Sequence, residues 1–384
     1  MNAREQTTML KTGWSQKIFE EVLEIKNGKN QKQVQKENGE YPIYGSAGNV
    51  MGWADEYICE IGTTIVGRKG TINSPIYAET KFWNVDTAFG LSPKALLNSK
   101  FLYYFCLSYD FSKHNRGTTI PSLVKSDLLQ ITLPLPPLPE QQRVVTILDE
   151  AFDGIATAKA NAEKNLQNAR ALFESHLQSV FANAWKTGDL VTLADLATDI
   201  TDGDHMPPPK ALNGIPFITI GNIAKDTRTV NFTDTFMVSR EYFDRLKPNK
   251  KPKKGDVLYT VTGSFGVPVL VSENREFCFQ RHVGLVRPKP DVSSEWLYYL
   301  LMSPQILKQA NDGATGTAQK TISLRLLRGF QVPRVPLALQ RTTATRFDAF
   351  IKETQHLQSL YQRKLTALDN LKKSLLHQAF TGQL

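Results

Sequence analysis

The sequence is internally duplicated, and this duplication constrains the fold more than any other feature of the chain. The segment FLYYFCLS at residues 101–108 returns as WLYYLLMS at residues 296–303, an offset of 195. Further matches, in the same order in both halves, are IKNG with ITDG, YPIYG with IPFIT, VGRKG ending at Gly70 with TGSFG ending at Gly266, AFGL with HVGL, GTTIPSL with GTAQKTISL, and LFESHLQSVF with LKKSLLHQAF. The 384 residues therefore divide into two halves of similar plan.

The composition suits two globular halves with a polyanionic partner. Hydrophobic residues make up 41% and charged residues 22%, so each half can bury a core. The 46 Lys and Arg exceed the 37 Asp and Glu, which gives a net charge of +9 and a pI near 9.2. Such an excess is compatible with nucleic acid but does not by itself identify it.

The cysteines and the hydropathy pattern favour a cytoplasmic protein. Three cysteines are scattered singly, which argues against a disulfide framework and a zinc cluster and fits a reducing compartment. No signal-peptide pattern opens the chain, and the longest uncharged stretch, 257–272, is interrupted by two glycines and a proline. We therefore expect no membrane span.

Each half is predicted to begin with a strand-rich domain and to end with a long helix. Short β-type runs punctuated by glycine and proline fill the first part of each half, and FLYYFCLS and WLYYLLMS are typical of short buried helices. After LPLPPLPEQQ, apolar residues recur with a 4-3-4-3 spacing. They are Val144, Leu148, Ala151, Ile155, Ala158, Ala162, Leu166 and Ala169, and the second copy has Phe350, Leu357, Tyr361, Leu368, Leu371 and Leu375.

A helix of this length needs a partner for its apolar seam, and the obvious partner is its own duplicate. We therefore predict an α+β fold: two strand-rich α/β domains separated by two long helices that form an antiparallel intramolecular coiled coil, with pseudo-twofold symmetry. The predicted divisions are 1–139 for the first domain, 140–187 for the first helix, 188–337 for the second domain and 338–384 for the second helix.

No motif for catalysis or metal binding is found. An adenine methyltransferase needs an Asn/Asp-Pro-Pro-aromatic motif, which LPPL and MPPP do not match. In GTTIVGRK, Arg68 replaces the P-loop lysine and no Ser or Thr follows Lys69. Asp291 and Glu295 lack the lysine of a nuclease site, and the six histidines are isolated.

The repeated plan and the segment LPLPPLPEQQRVVTILDEAF resemble the specificity subunit of type I restriction-modification systems over nearly the whole chain. The resemblance implies that each strand-rich domain is a target-recognition domain that binds one short block of a split DNA site. It also implies that the helices set the spacer and dock two methyltransferase subunits, to which restriction subunits are added. The cofactors S-adenosylmethionine, ATP and magnesium would belong to those partners. The second junction, QVPRVPLALQRTTATRFDAF, departs by lacking the Pro-Glu-Gln run.

Five loops are candidate DNA contacts because guanidinium, amide and hydroxyl groups can bind base edges or phosphates. In the first domain they are Arg68, Lys69 and Thr71 on a glycine-flanked loop, and Lys113, His114, Arg116 and Thr118 after the short helix. In the second domain they are Thr262 and Ser264, Thr317 and Lys320, and Gln280, Arg281 and His282. Each is equally open to interpretation as a solvated turn.

Lysines 250, 251, 253 and 254 in PNKKPKKG are candidate phosphate contacts, and a solubilising turn is the alternative. For partner docking the candidates are the first turns of the long helices, which also fit an ordinary helix start. They are Glu140, Gln141, Gln142, Arg143, Gln340 and Arg341.

The sequence therefore predicts a non-catalytic, cytoplasmic DNA-reading subunit that binds double-stranded DNA, methyltransferase subunits and restriction subunits. Two alternatives are a coiled-coil scaffold that binds proteins without contacting DNA, and a self-sufficient enzyme. The target sequence and the spacer length do not follow from the residues.

Overall fold

The protein is described here from a computed structural model that covers residues 11–206, 208–316 and 319–384. The chain forms two compact units: unit 1 runs to Lys164 and adds Tyr361–Leu384, and unit 2 is Asn165–Leu360. Each long helix therefore contributes one part to each unit. Because the helices are shared in this way, the unit boundaries fall within them.

Within its described residues, unit 1 contains ten strands, three short α-helices, the first part of one long helix and the last part of the other. The strands are β1 (Ser15–Ile18), β2 (Leu23–Asn27), β3 (Gln35–Lys36), β4 (Tyr41–Tyr44), β5 (Val50–Ala54), β6 (Thr64–Gly67), β7 (Ile76–Tyr77), β8 (Trp83–Asn84), β9 (Ala88–Pro93) and β10 (Thr132–Leu135). The helices are α1 (Phe19–Val22), α2 (Ser99–Ser108), α3 (Lys125–Leu129) and α4 (Leu138–Thr187).

Two four-stranded sheets and one two-stranded sheet organise unit 1. Their strand orders are β2-β9-β6-β7, β3-β5-β4-β8 and β1-β10. All pairs are antiparallel except β4 and β8, which run parallel. The apolar side of α2 packs over the first sheet through Phe101, Leu102 and Phe105, which are buried with Val66 and Phe89.

Unit 2 contains the remaining strands and short helices, together with parts of both long helices. Its strands are β11 (Leu190–Thr192), β12 (Ala197–Asp202), β13 (Ile215–Ile218), β14 (Ile223–Ala224), β15 (Thr229–Val230), β16 (Phe236–Val238), β17 (Val257–Thr260), β18 (Pro268–Leu270), β19 (Cys278–Phe279), β20 (Val283–Pro288) and β21 (Gln331–Pro333). Its short helices are α5 (Leu193–Leu196), α6 (Arg240–Arg245), α7 (Ser294–Met302), α8 (Pro304–Gly313) and α9 (Leu324–Arg328). The second long helix, α10 (Leu337–Thr381), begins in unit 2 and ends in unit 1.

The two units share one topology. The sheet β12-β20-β17-β18 repeats the order of β2-β9-β6-β7, and β11-β21 repeats β1-β10. The parallel pair β4–β8 is also repeated, as β13–β19. The internal repeat predicted from the sequence is therefore confirmed at the level of strand order. The antiparallel pair β4–β5 is repeated as β13–β16. Unit 2 differs by two insertions, one before β16 that contains β14 and β15, and one after β16 that contains α6.

The long helices α4 and α10 pack antiparallel within each unit. In unit 1, Lys159 pairs with Asp369 (Nζ–Oδ1 2.7 Å) and the Lys372 ammonium lies 4.7 Å from the Phe152 ring. In unit 2, the rings of Phe181 and Phe347 stack at 5.7 Å, and Phe173 packs against Phe347 and Phe350. The opposite direction of the two numberings shows the antiparallel arrangement, so the predicted α+β fold with paired long helices is confirmed.

The seam of these helices is mostly as the spacing predicts. Val144, Leu148, Ile155 and Ala162 are each at most 6% exposed. Leu371 is 47% exposed, so its predicted place in the seam is wrong. The helices begin at Leu138 and Leu337, close to the expected starts. Pro139 fits the first turn of α4 because it costs no helix hydrogen bond there.

Across the described ranges, no helix combines the length and the apolar content that crossing a bilayer requires.

Candidate nucleic-acid interface

The loop that follows β6 in unit 1 is held against the segment between α2 and α3. Gly70 N donates to Pro121 O (2.9 Å) and Leu123 N donates to Arg68 O (2.8 Å). Lys69 and Ser122 form an isolated antiparallel bridge. Two clusters that are separate in sequence, around Arg68 and around Arg116, are thus brought together by backbone hydrogen bonds.

Unit 2 repeats this arrangement bond for bond. Gly263 N donates to Lys320 O (3.0 Å), Ile322 N donates to Val261 O (2.7 Å), and Thr262 bridges Thr321. Gly263 has a φ of +66°, close to the +81° of Gly70.

Gly70 is therefore equivalent to Gly263, and the match of Gly70 with Gly266 made from the sequence is wrong. The sheet register makes the ends of β6 and β17 equivalent, and Gly70 and Gly263 follow those ends by the same number of residues. The similar segments VGRKG and TGSFG instead favour an alignment shifted by three residues.

A third loop completes the surface in both units. Thr87 O, between β8 and β9, accepts from Arg68 N (2.7 Å) and Lys69 N (3.2 Å). His282 O, between β19 and β20, accepts from Val261 N (2.9 Å). The predicted cluster Gln280, Arg281 and His282 thus adjoins Thr262, and its counterpart in unit 1 is the loop 85–87. Sequence reasoning missed that loop because VDT carries no cation.

The cations of unit 1 are partly engaged by neighbouring groups. Arg68 donates to Asp86 O (Nη1–O 3.3 Å) and lies 5.8 Å from the Phe89 ring, while Lys69 and Thr71 are exposed. Arg116 pairs with Asp127 (Nε–Oδ2 2.7 Å), and this hydrogen bond lowers the pKa of the Asp127 carboxyl. The exposed guanidinium can still exchange this partner for a phosphate.

The remaining unit 1 candidates lie in and after the 3-10 turn Phe111–His114. His114 Nε2 is 2.7 Å from the Tyr109 hydroxyl, and its ring stacks on Tyr109. Lys113 Nζ lies 5.8 Å from the same ring, and Thr118 is exposed. His114 is thus occupied by Tyr109, whereas Lys113 and Thr118 face solvent.

In unit 2 the candidates differ in accessibility. Arg281, Ser264 and Lys320 are exposed and Gln280 is half-buried, whereas Thr262 is 6% exposed and offers a ligand little surface. Burial, with a smaller contribution from the Arg281 charge, lowers the pKa of His282 below its usual range, so this ring is favoured in its neutral form. Thr317 lies outside the described residues.

The lysine segment 247–254 belongs to the insertion of unit 2 that follows β16. Lys250 donates to Gly203 O (3.0 Å), and Lys251 donates to Asp244 O (3.1 Å) and lies 4.9 Å from the Phe243 ring. Lys253 and Lys254 are exposed. The four predicted phosphate contacts therefore divide into two that tie the segment down and two that face solvent.

A buried ion pair anchors this segment to the four-stranded sheet. Arg287 makes a bidentate contact with Asp256 (Nε–Oδ1 2.9 Å, Nη2–Oδ2 2.7 Å) and donates to Lys251 O (2.9 Å). The side chain of Asp256 is 1% exposed and that of Arg287 is 12% exposed. Hydrogen bonding to Asp256 raises the pKa of Arg287, so the guanidinium keeps its charge.

Two of the predicted partner-docking residues are internal. Gln141 is 0% exposed: its Oε1 accepts from Asn98 N (2.7 Å) and its Nε2 donates to Pro136 O (2.8 Å). Gln340 is 2% exposed, accepts from Ser293 N (2.8 Å) and donates to Val335 O (2.7 Å). The prediction that these two side chains contact a partner is wrong, because they are buried and their amide groups are hydrogen-bonded inside the protein.

The other docking candidates are at the surface. Glu140 pairs with Arg143 (Nε–Oε2 2.7 Å) and with Lys11 (3.3 Å), and these contacts, led by the Arg143 hydrogen bond, lower the pKa of Glu140 to about 2. Gln142 and Arg341 are exposed. These residues stay predicted docking contacts.

A second repeated contact joins each short helix to its long helix. The Tyr104 hydroxyl donates to Asp149, and the Tyr299 hydroxyl donates to Asp348 (2.6 Å). Burial, followed by the hydrogen bond to the aspartate, raises the pKa of both tyrosines. The signal was available in the sequence, since each aspartate follows the glutamine at the helix start by the same number of residues, just as LYY repeats the tyrosine.

Comparisons with known proteins agree with this duplicated plan. The profile named "Type I restriction modification DNA specificity domain" matches residues 11–167 and 185–363. The MjaVIII specificity subunit of Methanocaldococcus jannaschii is 23% identical over 348 residues, 84% of this chain and 76% of that protein. The EcoBI specificity subunit of Escherichia coli is 22% identical over 349 residues, 83% of this chain and 73% of that protein.

Solved structures share the fold. The HsdS subunit of Thermoanaerobacter tengcongensis superimposes with a TM-score of 0.65 at 19% identity, over all of both chains. A chain from a type I restriction-modification system structure reaches 0.77 at 19% identity, over 98% of this chain and 99% of that one. Since the profile covers well over half of the sequence, the chain belongs to the type I restriction modification DNA specificity family, the non-catalytic subunits that give these systems their DNA sequence specificity.

Proposed function

We propose that this chain binds a bipartite DNA target, with one short block bound by each unit, and directs partner adenine methyltransferase and restriction subunits to it. The observation that carries the proposal is the repeated three-loop surface, which joins Arg68 with Arg116 in unit 1 and Arg281 with Lys320 in unit 2. Arginine, glutamine and threonine are residue types that bind base edges, and lysine binds phosphate.

The unequal charge of the two units supports a difference in how they bind the DNA backbone. The connection 219–256 of unit 2 holds nine Lys and Arg against five Asp and Glu, whereas the corresponding connection 45–63 of unit 1 holds three acidic residues and no Lys or Arg. Phosphate contacts fix orientation and carry most of the salt dependence. We therefore assign a phosphate-binding role to Lys253 and Lys254.

The proposed assembly contains two methyltransferase subunits, with restriction subunits added for cleavage, in the cytoplasm. S-adenosylmethionine, ATP and magnesium would be bound by those partners. Glu140, Gln142, Arg143 and Arg341, near the starts of the long helices, have side chains that reach the surface and are the proposed docking contacts.

A footprinting experiment tests the function. The purified chain, mixed with its methyltransferase partner, is expected to protect two short DNA blocks separated by an unprotected gap. A coiled-coil scaffold that binds proteins alone would leave no footprint. Mapping methylated adenines in the host genome before and after deletion of the gene identifies the target, and an unchanged methylation pattern would contradict the proposal.

A further inference from the structure

A small hairpin at residues 116–122 lies over the Arg68–Gly70 loop of unit 1. Arg116 N donates to Ser122 O (2.8 Å), and Asn115 Oδ1 accepts from Gly117 N (2.9 Å) and Ser122 N (2.8 Å). Since Gly70 N donates to Pro121 O, the hairpin is also fixed to the loop beneath it. Its tip therefore has a defined position on the proposed DNA surface.

The tip is closed by a tight turn that a glycine permits. A Cβ placed on Gly117 would lie 1.8 Å from Ile120 O, so a side chain there would collide with the backbone. Unit 2 has the same close approach, because a Cβ on Gly316 would lie 2.4 Å from Gln319 O. Thr315 N donates to Thr321 O (3.0 Å), as Arg116 N does to Ser122 O. Ile120 and Gln319 therefore occupy equivalent positions.

Both tip residues face solvent among polar neighbours. Ile120 is 61% exposed, in a hairpin that begins at the exposed Arg116 and is bridged to the exposed Lys69 through Ser122. Gln319 is exposed, and its Nε2 lies 3.1 Å from a Cβ placed on Gly263, so the amide lies over the loop after β17. A single exposed isoleucine needs no explanation by itself. The informative observation is that one backbone position in a repeated surface carries an aliphatic group in one unit and an amide in the other.

We propose that this tip position is a specificity-determining position of each unit, with Gln319 hydrogen-bonding the N6 and N7 edge of an adenine and Ile120 contacting the C5-methyl group of a thymine in the major groove. Glutamine offers one donor and one acceptor, which matches that adenine edge, and an apolar side chain matches the thymine methyl. This inference rests on the proposed function and adds the residue that selects one base pair in each block.

The test exchanges the two chemistries and maps the methylated motif. Host strains that carry Ile120→Gln or Gln319→Ile in the full chain, with the partner subunits in place, are grown, and methylated adenines are mapped across the genome. Ile120→Gln is expected to change the preferred base pair at one position of the unit 1 block by about tenfold, the discrimination that one good base contact provides. Gln319→Ile should act likewise on one position of the unit 2 block, and each variant should leave the other block unchanged.

Ile61→Gln is the matched control, since Ile61 is 64% exposed but precedes β6, whereas the Arg68–Gly70 loop follows that strand. It should leave the motif as it is. If Ile120→Gln and Gln319→Ile also leave both blocks unchanged, the inference is overturned while the proposed function stands. If deletion of the gene removes no methylated motif, the proposed function itself fails. If a variant methylates nothing, the purified complex is titrated with duplexes that vary each position of the target in turn. A base preference that is unchanged in both blocks then overturns the inference in the same way.

Discussion

Gln141 and Gln340 hold the same place in the two units, each accepting from the backbone N–H of the residue that caps a short helix. Asn98 caps α2 and Ser293 caps α7, so each glutamine joins the start of a short helix to the first turn of a long one. A glutamine suits this place because its amide presents an acceptor and a donor at once. The two side chains thus act as positioning residues for the angle between domain and helix.

Gln340→Leu is expected to lower the free energy of unfolding of unit 2 by roughly 1–3 kcal/mol, because Ser293 N and Val335 O lose their buried partner. Denaturant titration of the chain measures the change. Gln355→Leu, on the exposed side of the same helix, is the control and should shift stability by less than about 0.5 kcal/mol. Equal effects of the two substitutions would remove the assigned role.

Glu140 makes stability depend on pH in a defined window. Its pKa is lowered in the folded protein from 4.5 to about 2, so its ion pairs stabilise fully above the unfolded value and are lost as the pH falls toward 2. The stability difference between the protein and Glu140→Gln should therefore be constant above about pH 5.5 and shrink between pH 4.5 and 2. Thermal melts across this range test it, with Glu150→Gln as control for loss of an exposed carboxylate on the same helix. A difference that grows on acidification would contradict the assignment.

At the scale of elements, the Asp256–Arg287 pair connects the lysine-rich insertion to the β12-β20-β17-β18 sheet. Arg287→Met is expected to destabilise unit 2 by about 3–5 kcal/mol, because Asp256 would be left buried without a counter-charge. The double variant Asp256→Asn with Arg287→Met should recover part of this loss, since no lone charge is then buried. Calorimetry on the two variants makes the comparison. A double variant no more stable than Arg287→Met would show that the charge is not the cause.

The exposed lysines of the same insertion should act on affinity without altering sequence preference. Lys253→Ala with Lys254→Ala is expected to weaken binding to all duplexes alike and to reduce the slope of log affinity against log salt by about two. Lys250→Ala serves as the comparison, because Lys250 is held by Gly203 O and should change that slope less. Binding titrations at several salt concentrations give the slopes. Altered target preference in the double variant would contradict a phosphate role.

Duplication made the elements predictable, whereas details that depend on sheet register or on packing between helices were not predictable. The seam from Val144 to Ala162 and the repeated short helices follow from periodicity, which depends on neighbours along the chain. The equivalence of Gly70 with Gly263 does not, because it is set by strand register across a sheet. Gln141 was misassigned for a related reason: an exposed and a buried polar residue at a helix start look alike until the neighbouring helix is placed.

At the scale of the whole molecule, the two units repeat one backbone framework with different side chains on its loops. Position 68 holds arginine where position 261 holds valine, and the loop 85–87 holds VDT where 280–282 holds QRH. The same backbone hydrogen bonds hold the loops in place in both units, so side chains at their exposed positions can change without loss of the fold. Such an arrangement lets each unit acquire its own target while the strand order stays the same.

Independent target blocks have a measurable energetic consequence. Arg68→Ala and Arg281→Ala each remove one candidate base contact, at an expected cost of about 1–3 kcal/mol in binding to the complete target. Because each residue belongs to a different unit, the two losses should add to within about 0.5 kcal/mol in a double-mutant cycle. Duplexes with one block scrambled provide the control, since Arg68→Ala should then cost nothing if its own block is absent. A coupling energy well above 1 kcal/mol would mean that both arginines serve one shared block, and the assignment of one block to each unit would have to be abandoned.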